Sequence, residues 1–173
     1  MSNSLIDYGQ VKRLSDRERL DLARFMLLVD AAIKLDPRTD AHADKAAHAR
    51  ARACIAKAVF DLGVKTEHSD PDVAYEMNVV YYGRMDAAWL YPRNVIQWTD
   101  WIESRDSMKD ITEVEHVVMV NMVGMMLRGL GEMLQQSRNL ALCWRPFARQ
   151  ALQEKGLLEG VEKEIAAWYQ KCE

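Results

Sequence analysis

Glu113 and His116 stand three residues apart, the Glu-x-x-His spacing that projects two metal ligands from one helix face. Di-iron bundles use that pair twice and add two glutamates from other helices. The histidines are His42, His48, His68 and His116, and none of the other three has a glutamate three positions before it. Glu113 and His116 are therefore a weak metal candidate. The simpler reading is that Glu113 and Glu115 favour the start of a helix electrostatically. Asp44 and His48, at i and i+4, offer half of a zinc site, and a closed zinc site needs four ligands. No metal and no cofactor is expected from these residues.

Covalent chemistry has less support. There is no G-x-S-x-G elbow and no glycine-rich phosphate loop, and no cysteine lies close in sequence to a histidine. Gly124, Gly129 and Gly131 fall inside a helical pattern rather than between a strand and a helix. The balance favours a protein that is not an enzyme.

Binding chemistry is better represented. Residues 75–101 hold half of the aromatic side chains of the chain. Within them Trp89, Tyr91, Arg93, Trp98 and Trp101 form a candidate partner-binding group, because tryptophan, tyrosine and arginine anchor interfaces. Met119, Met122, Met125, Met126 and Met133 follow on a later helix. Flexible methionines can line an adaptable groove, but within an apolar helix the core is the expected place for them. Lys45, Arg50, Arg52 and Lys57 lie on one alanine-rich helix and are the alternative, nucleic-acid-contacting group. Arg50 and Lys57 flank one edge of its apolar stripe and Lys45 and Arg52 the other, the usual place of long basic side chains beside a buried face.

These residues need elements to hold them. The 173 residues are 49% hydrophobic and 28% charged, with eight glycines and four prolines, a globular balance poor in tight turns. The spacing predicts helices throughout. Ser15 and Glu18 form a capping box, and Leu22, Phe25, Met26, Val29 and Ile33 make one apolar face that ends at Asp36-Pro37. A second helix is expected from about Thr39 to Leu62, with Gly63 as its stop. A third runs from Asp70-Pro71 to about Leu90, and a fourth from Pro92 to about Arg105. The fifth, about 111–136, starts at Asp110 or Thr112 and is apolar nearly all round, so it is expected to be the buried central helix. Gly124 suggests close packing there. A sixth, Leu140–Glu154, is interrupted at Pro146. A seventh, Leu157–Lys171, carries Leu158, Val161, Ile165, Trp168 and Cys172 on one stripe that docks on the bundle or seams against a second copy.

The fold expected is thus all-α: one bundle of six or seven helices over residues 15–173, with a loosely ordered segment at 1–14. Cys54, Cys143 and Cys172 are odd in number and lack C-x-x-C spacing, which suggests a reducing, cytoplasmic setting. Val117–Leu127 is too short to span a membrane, which takes about 20 residues, and no membrane association is expected. The net charge of −3 argues against bulk nucleic-acid binding, although the first half of the chain is the more basic. The function expected is a non-enzymatic protein–protein interaction role: a regulatory adaptor, an inhibitor or a helical subunit of a larger complex. A homodimer is compatible with it. A nucleic-acid-contacting accessory protein is the alternative.

Overall fold

The computed structural model describes residues 13–110 and 114–170. Among them the chain forms seven α-helices: α1 (Asp16–Leu35), α2 (Lys45–Asp61), α3 (Pro71–Tyr82), α4 (Val95–Arg105), α5 (Glu115–Met133), α6 (Leu140–Glu154) and α7 (Leu158–Ala167). A short 3-10 turn, Ala87–Leu90, precedes α4, and two short strands, β1 (Lys65–Thr66) and β2 (Met108–Asp110), pair antiparallel. The result is an all-α bundle. Its N-terminal residues 1–12 lie outside the described residues.

The helix at the centre is α1, not the 111–136 segment that its composition suggested. The Ser15–Glu18 capping box closes as expected, with each backbone N–H donating to the other side chain. From Leu22 to Leu35 nearly every side chain is buried, and α2, α3, α6 and α7 pack around it. The buried Asp30 is matched by Lys34 at 2.7 Å and Arg145 at 3.4 Å. By contrast α5 lies on one side of the bundle over α3, and among its residues only Val117, Gly124, Arg128 and Gly131 are buried.

Several helix ends move for local reasons. α2 begins at Lys45 because the Asp44 carboxylate accepts from the N–H groups of Ala46 and Ala47. α3 stops at Tyr82, and a side chain at Gly83 would collide with the Val79 carbonyl. α4 begins at Val95 rather than at Pro92, because Asn94 and Gln97 cap each other. α6 is continuous through Pro146, which sits on the solvent side where the carbonyl left without a partner can be hydrated. α7 docks on the bundle: Val161 and Trp168 are buried, and Leu158 and Ile165 pack against the core. Glu164 on α7 receives two hydrogen bonds from Arg24, at 2.7 and 3.1 Å. Cys172 lies outside the described residues.

One aspartate ties the loops that set α4. The buried Asp106, just past α4, accepts from Thr66 Oγ1 and from the N–H groups of His68 and Asp70, each at 2.7 Å. Asp70 in turn caps α3 and accepts from Arg105 on α4. The β1–β2 pair runs alongside this junction, so the α2–α3 and α4–α5 connections are held to one another.

Candidate interaction surface

The aromatic group around α4 divides into core and surface. Trp89 and Trp98 are 2% and 7% exposed, so a partner cannot reach their rings. The reason is packing. Arg38 lies over the Trp89 ring at 4.6 Å, and Tyr81 meets the edge of Trp98 at 6.2 Å. Tyr91 is 82% exposed and Arg93 is exposed. Trp101 is half-buried between the guanidinium groups of Arg93 and Arg105, at 4.8 and 5.3 Å from its ring. Of the five candidate residues, the structure therefore leaves Tyr91, Arg93 and part of Trp101 at the surface, beside the exposed Val95 and Ile96.

The larger surface is on α5, and it is built inside out. Val117, Asn121, Gly124, Arg128 and Gly131 recur at a 4-3-4-3 spacing and face the body of the protein. The Tyr82 hydroxyl donates to Asn121 Oδ1. Gly124 lies so close to α3 that an added Cβ would stand 2.7 Å from the Tyr81 carbonyl oxygen, which bears out the close packing expected at that glycine. Arg128 donates to the Val80 carbonyl from Nε at 3.0 Å and from Nη2 at 2.6 Å, and to the Asp86 carbonyl at 3.1 Å. It thereby satisfies a carbonyl at the end of α3 and sits favourably at the negative end of that helix. Burial pushes its guanidinium down to about 10, which still leaves it charged at neutral pH.

With these residues turned inward, the apolar ones must face out. Met122, Val123, Met126, Leu130 and Met133 are 43–81% exposed, and Leu134 follows just past the helix end. At about 100° per residue, Met119 through Met133 place Met119, Met122, Val123, Met126, Gly129, Leu130 and Met133 in an arc of about 120°. Between Met119 and Met133 no charged or polar side chain falls in that arc. Val120, about 60° further round the helix than Val123, lines a groove of about 590 Å³ together with Leu22, Met26, Trp144 and the exposed Phe147. The apolar surface therefore continues from α5 toward α6.

Composition alone points these methionines to the core, because it registers how apolar α5 is and not which residues share a face. The signal was present. Asn121, Arg128 and two of the three glycines fall on one stripe, and that stripe is the one that packs.

The four cations of α2 are mostly engaged within the chain. Arg50 donates to the Trp168 carbonyl at 2.7 Å, Arg52 is paired with Asp72 and lies over Tyr75, and Lys57 is 2.6 Å from Asp61. They flank the buried face with Lys45 at the first helical position, and do not converge on a groove.

The metal-ligand candidates are drawn apart. Asp44 caps α2, whereas His48 Nε2 meets the Tyr75 hydroxyl at 3.1 Å. His116 Nδ1 lies 3.3 Å from Glu18, and Glu113 lies outside the described residues. Among the described residues, no three His, Cys, Asp or Glu side chains gather where they could hold a metal ion. No helix among them is long and apolar enough to cross a membrane. Comparison with known proteins adds no relative: no family model, no curated protein and no solved structure matches this chain.

Proposed function

We propose that this protein is a non-enzymatic interaction protein, an adaptor or small helical subunit, that docks a partner on the outward face of α5. The observation that carries this reading is the inversion of that helix. A helix folded against water turns its apolar residues inward. This one turns Asn121, Arg128 and two glycines inward beside Val117, and keeps Met122, Val123, Met126, Leu130 and Met133 outside. Such a face suits another apolar surface, and unbranched methionines let it adapt to the shape that it meets. An exposed apolar patch of this size on a folded chain marks an interaction site more often than free surface.

The test is a photoreactive benzophenone side chain in place of Met126, introduced in the native cells, with the same group at the exposed Ser104 of α4 as control. Irradiation is expected to join the chain to one protein species through position 126 and not through position 104. If position 126 stays unlinked and the chain leaves the cells as a bare monomer, the reading falls.

A further inference from the structure

We infer that the partner on the outward face of α5 is a second copy of this chain, its α5 antiparallel to the first and crossing it at Met126. This rests on the reading of α5 as a docking face and names what covers it.

The stripe repeats itself about its midpoint. Counted from Met126, Val123 and Gly129 lie three residues to either side, Met122 and Leu130 four, and Met119 and Met133 seven. A two-fold axis through Met126 therefore lays the stripe on itself with its direction reversed, and apolar meets apolar at every step. A self-complementary patch of this kind is what a closed two-fold dimer requires.

Gly129 is explained by the same operation. An added Cβ there would meet nothing within 4 Å inside the chain, so no internal packing calls for a glycine. Yet a glycine in mid-helix costs about 1 kcal/mol relative to alanine. In the antiparallel pair, Gly129 stands opposite the Val123 position of the second copy, and a missing side chain meets a branched one.

Charge selects both the partner and the direction. Between Glu115 and Gln136 the only lysine or arginine is Arg128, which is turned inward and 7% exposed. An acidic peptide, a nucleic acid or an anionic lipid surface would find no cation on this face. Glu115 lies on the line of the stripe, eleven residues before Met126. A parallel pair would set the two copies of Glu115 against each other. The antiparallel pair carries each one beyond the end of the facing helix.

The area is adequate but modest. The six exposed apolar side chains from Met122 to Leu134 offer on the order of 600 Å² per copy, against roughly 800 Å² per partner in a standard interface. The adjoining Phe147 extends the patch. A dimer of this size dissociates on dilution.

Sedimentation velocity of the purified full chain over a dilution series, under reducing conditions, tests the inference. The expected result is a mass of twice 19.9 kDa that falls toward 19.9 kDa on dilution. Met126→Glu sets two like charges at the axis and is expected to weaken the dimer at least tenfold with its helical circular dichroism intact. Met133→Glu, at a position that is 81% exposed, serves if that variant misfolds. In a background with Cys143→Ser and Cys172→Ser, Met126→Cys is expected to form an interchain disulfide on mild oxidation. Val123→Cys mixed with Gly129→Cys should link more than either alone. A dimer that survives both glutamate variants, or a stronger 123–123 link than 123–129 link, overturns the inference. A monomer at all concentrations that still crosslinks to another protein through position 126 in cells also overturns it and leaves the docking face standing. A monomer with no crosslink removes both.

Discussion

Asp36 is 2% exposed and receives four hydrogen bonds: two to Oδ1 from the Arg38 N–H and Nε, and two to Oδ2 from Arg38 Nη2 and the Tyr75 hydroxyl, all at 2.7–2.9 Å. Burial alone would raise its pKa, but Arg38 and Tyr75 together hold it below the usual carboxylate value. The Tyr75 proton is committed to Asp36, so its oxygen accepts from His48 Nε2–H. His48 is in turn pushed below its ordinary value by burial, with Arg52 and Arg38 adding to the effect. The consequence for stability has one sign for both groups. Each binds protons more readily unfolded than folded, so stability falls as pH falls. The His48 contribution is complete above about 6.5 and that of Asp36 above about 3.9, and each is lost as pH drops through the lower folded value. Urea unfolding across acid pH should show two declines, the upper one absent in His48→Gln and the lower one reduced in Asp36→Asn but not abolished, because Asp70 and Asp106 are also held below the usual carboxylate value. Arg128 is the second residue whose removal has a definite cost. Arg128→Met leaves the buried Val80 carbonyl without a donor, while the Asp86 carbonyl keeps the Trp89 N–H, and should cost about 1–3 kcal/mol. Hydrogen exchange should rise along α5 first.

The two central glycines of α5 separate its two faces. Gly124→Ala forces a Cβ to 2.7 Å from the Tyr81 carbonyl and should lift α5 from α3 at a cost of about 1–3 kcal/mol. Gly129→Ala meets nothing inside the chain and should stabilise the monomer by about 1 kcal/mol while weakening self-association. Thermal unfolding of dilute protein reads both. At this scale much of the fold was legible. Ser15 with Glu18, Asp70 with Pro71, and the stripe of α7 each carry a local signal that the structure keeps. The misses have physical causes. Asn94 and Gln97 outcompete Pro92 as the start of α4, because a capping box satisfies two free N–H groups and a proline at the first position satisfies none. The β1–β2 pair is too short to show a period of two. For the candidate surface, Tyr91 and Arg93 are exposed, whereas Trp89 and Trp98 are core. Aromatic content alone does not separate an anchor from a filler. Arg128 and Asn121 would face water as readily as a neighbour, so the signal for the inward face of α5 lies in Gly124 and Gly131 on the same stripe, where an added Cβ would collide with Tyr81 and Met85.

As a whole molecule, the chain is a helix bundle centred on α1 with one flank unfinished. The core closes around α1, α2, α3 and α6, whereas α5 is held on one side by Val117, Asn121, Gly124 and Arg128, with Val118, Val120 and Leu127 partly buried beside them. If the second copy completes that flank, stability depends on concentration, since anything that binds only the folded form adds to its stability by mass action. The melting temperature should therefore rise with protein concentration, and Met126→Glu should abolish the rise without lowering the value at high dilution. The thioethers on that flank also have a chemistry of their own. Met122, Met126 and Met133 are open to oxidants, whereas Met26 and Met77 are shielded at 3% and 9% exposure. Peroxide should convert the three outer sulfurs to sulfoxides first, and each sulfoxide makes an apolar side chain polar. Peptide mass spectrometry of briefly treated protein would rank the sites. A self-associated chain should protect Met126 at the crossing and leave the inner methionines unchanged, so oxidant would act on this molecule by loosening its association before it touched the fold.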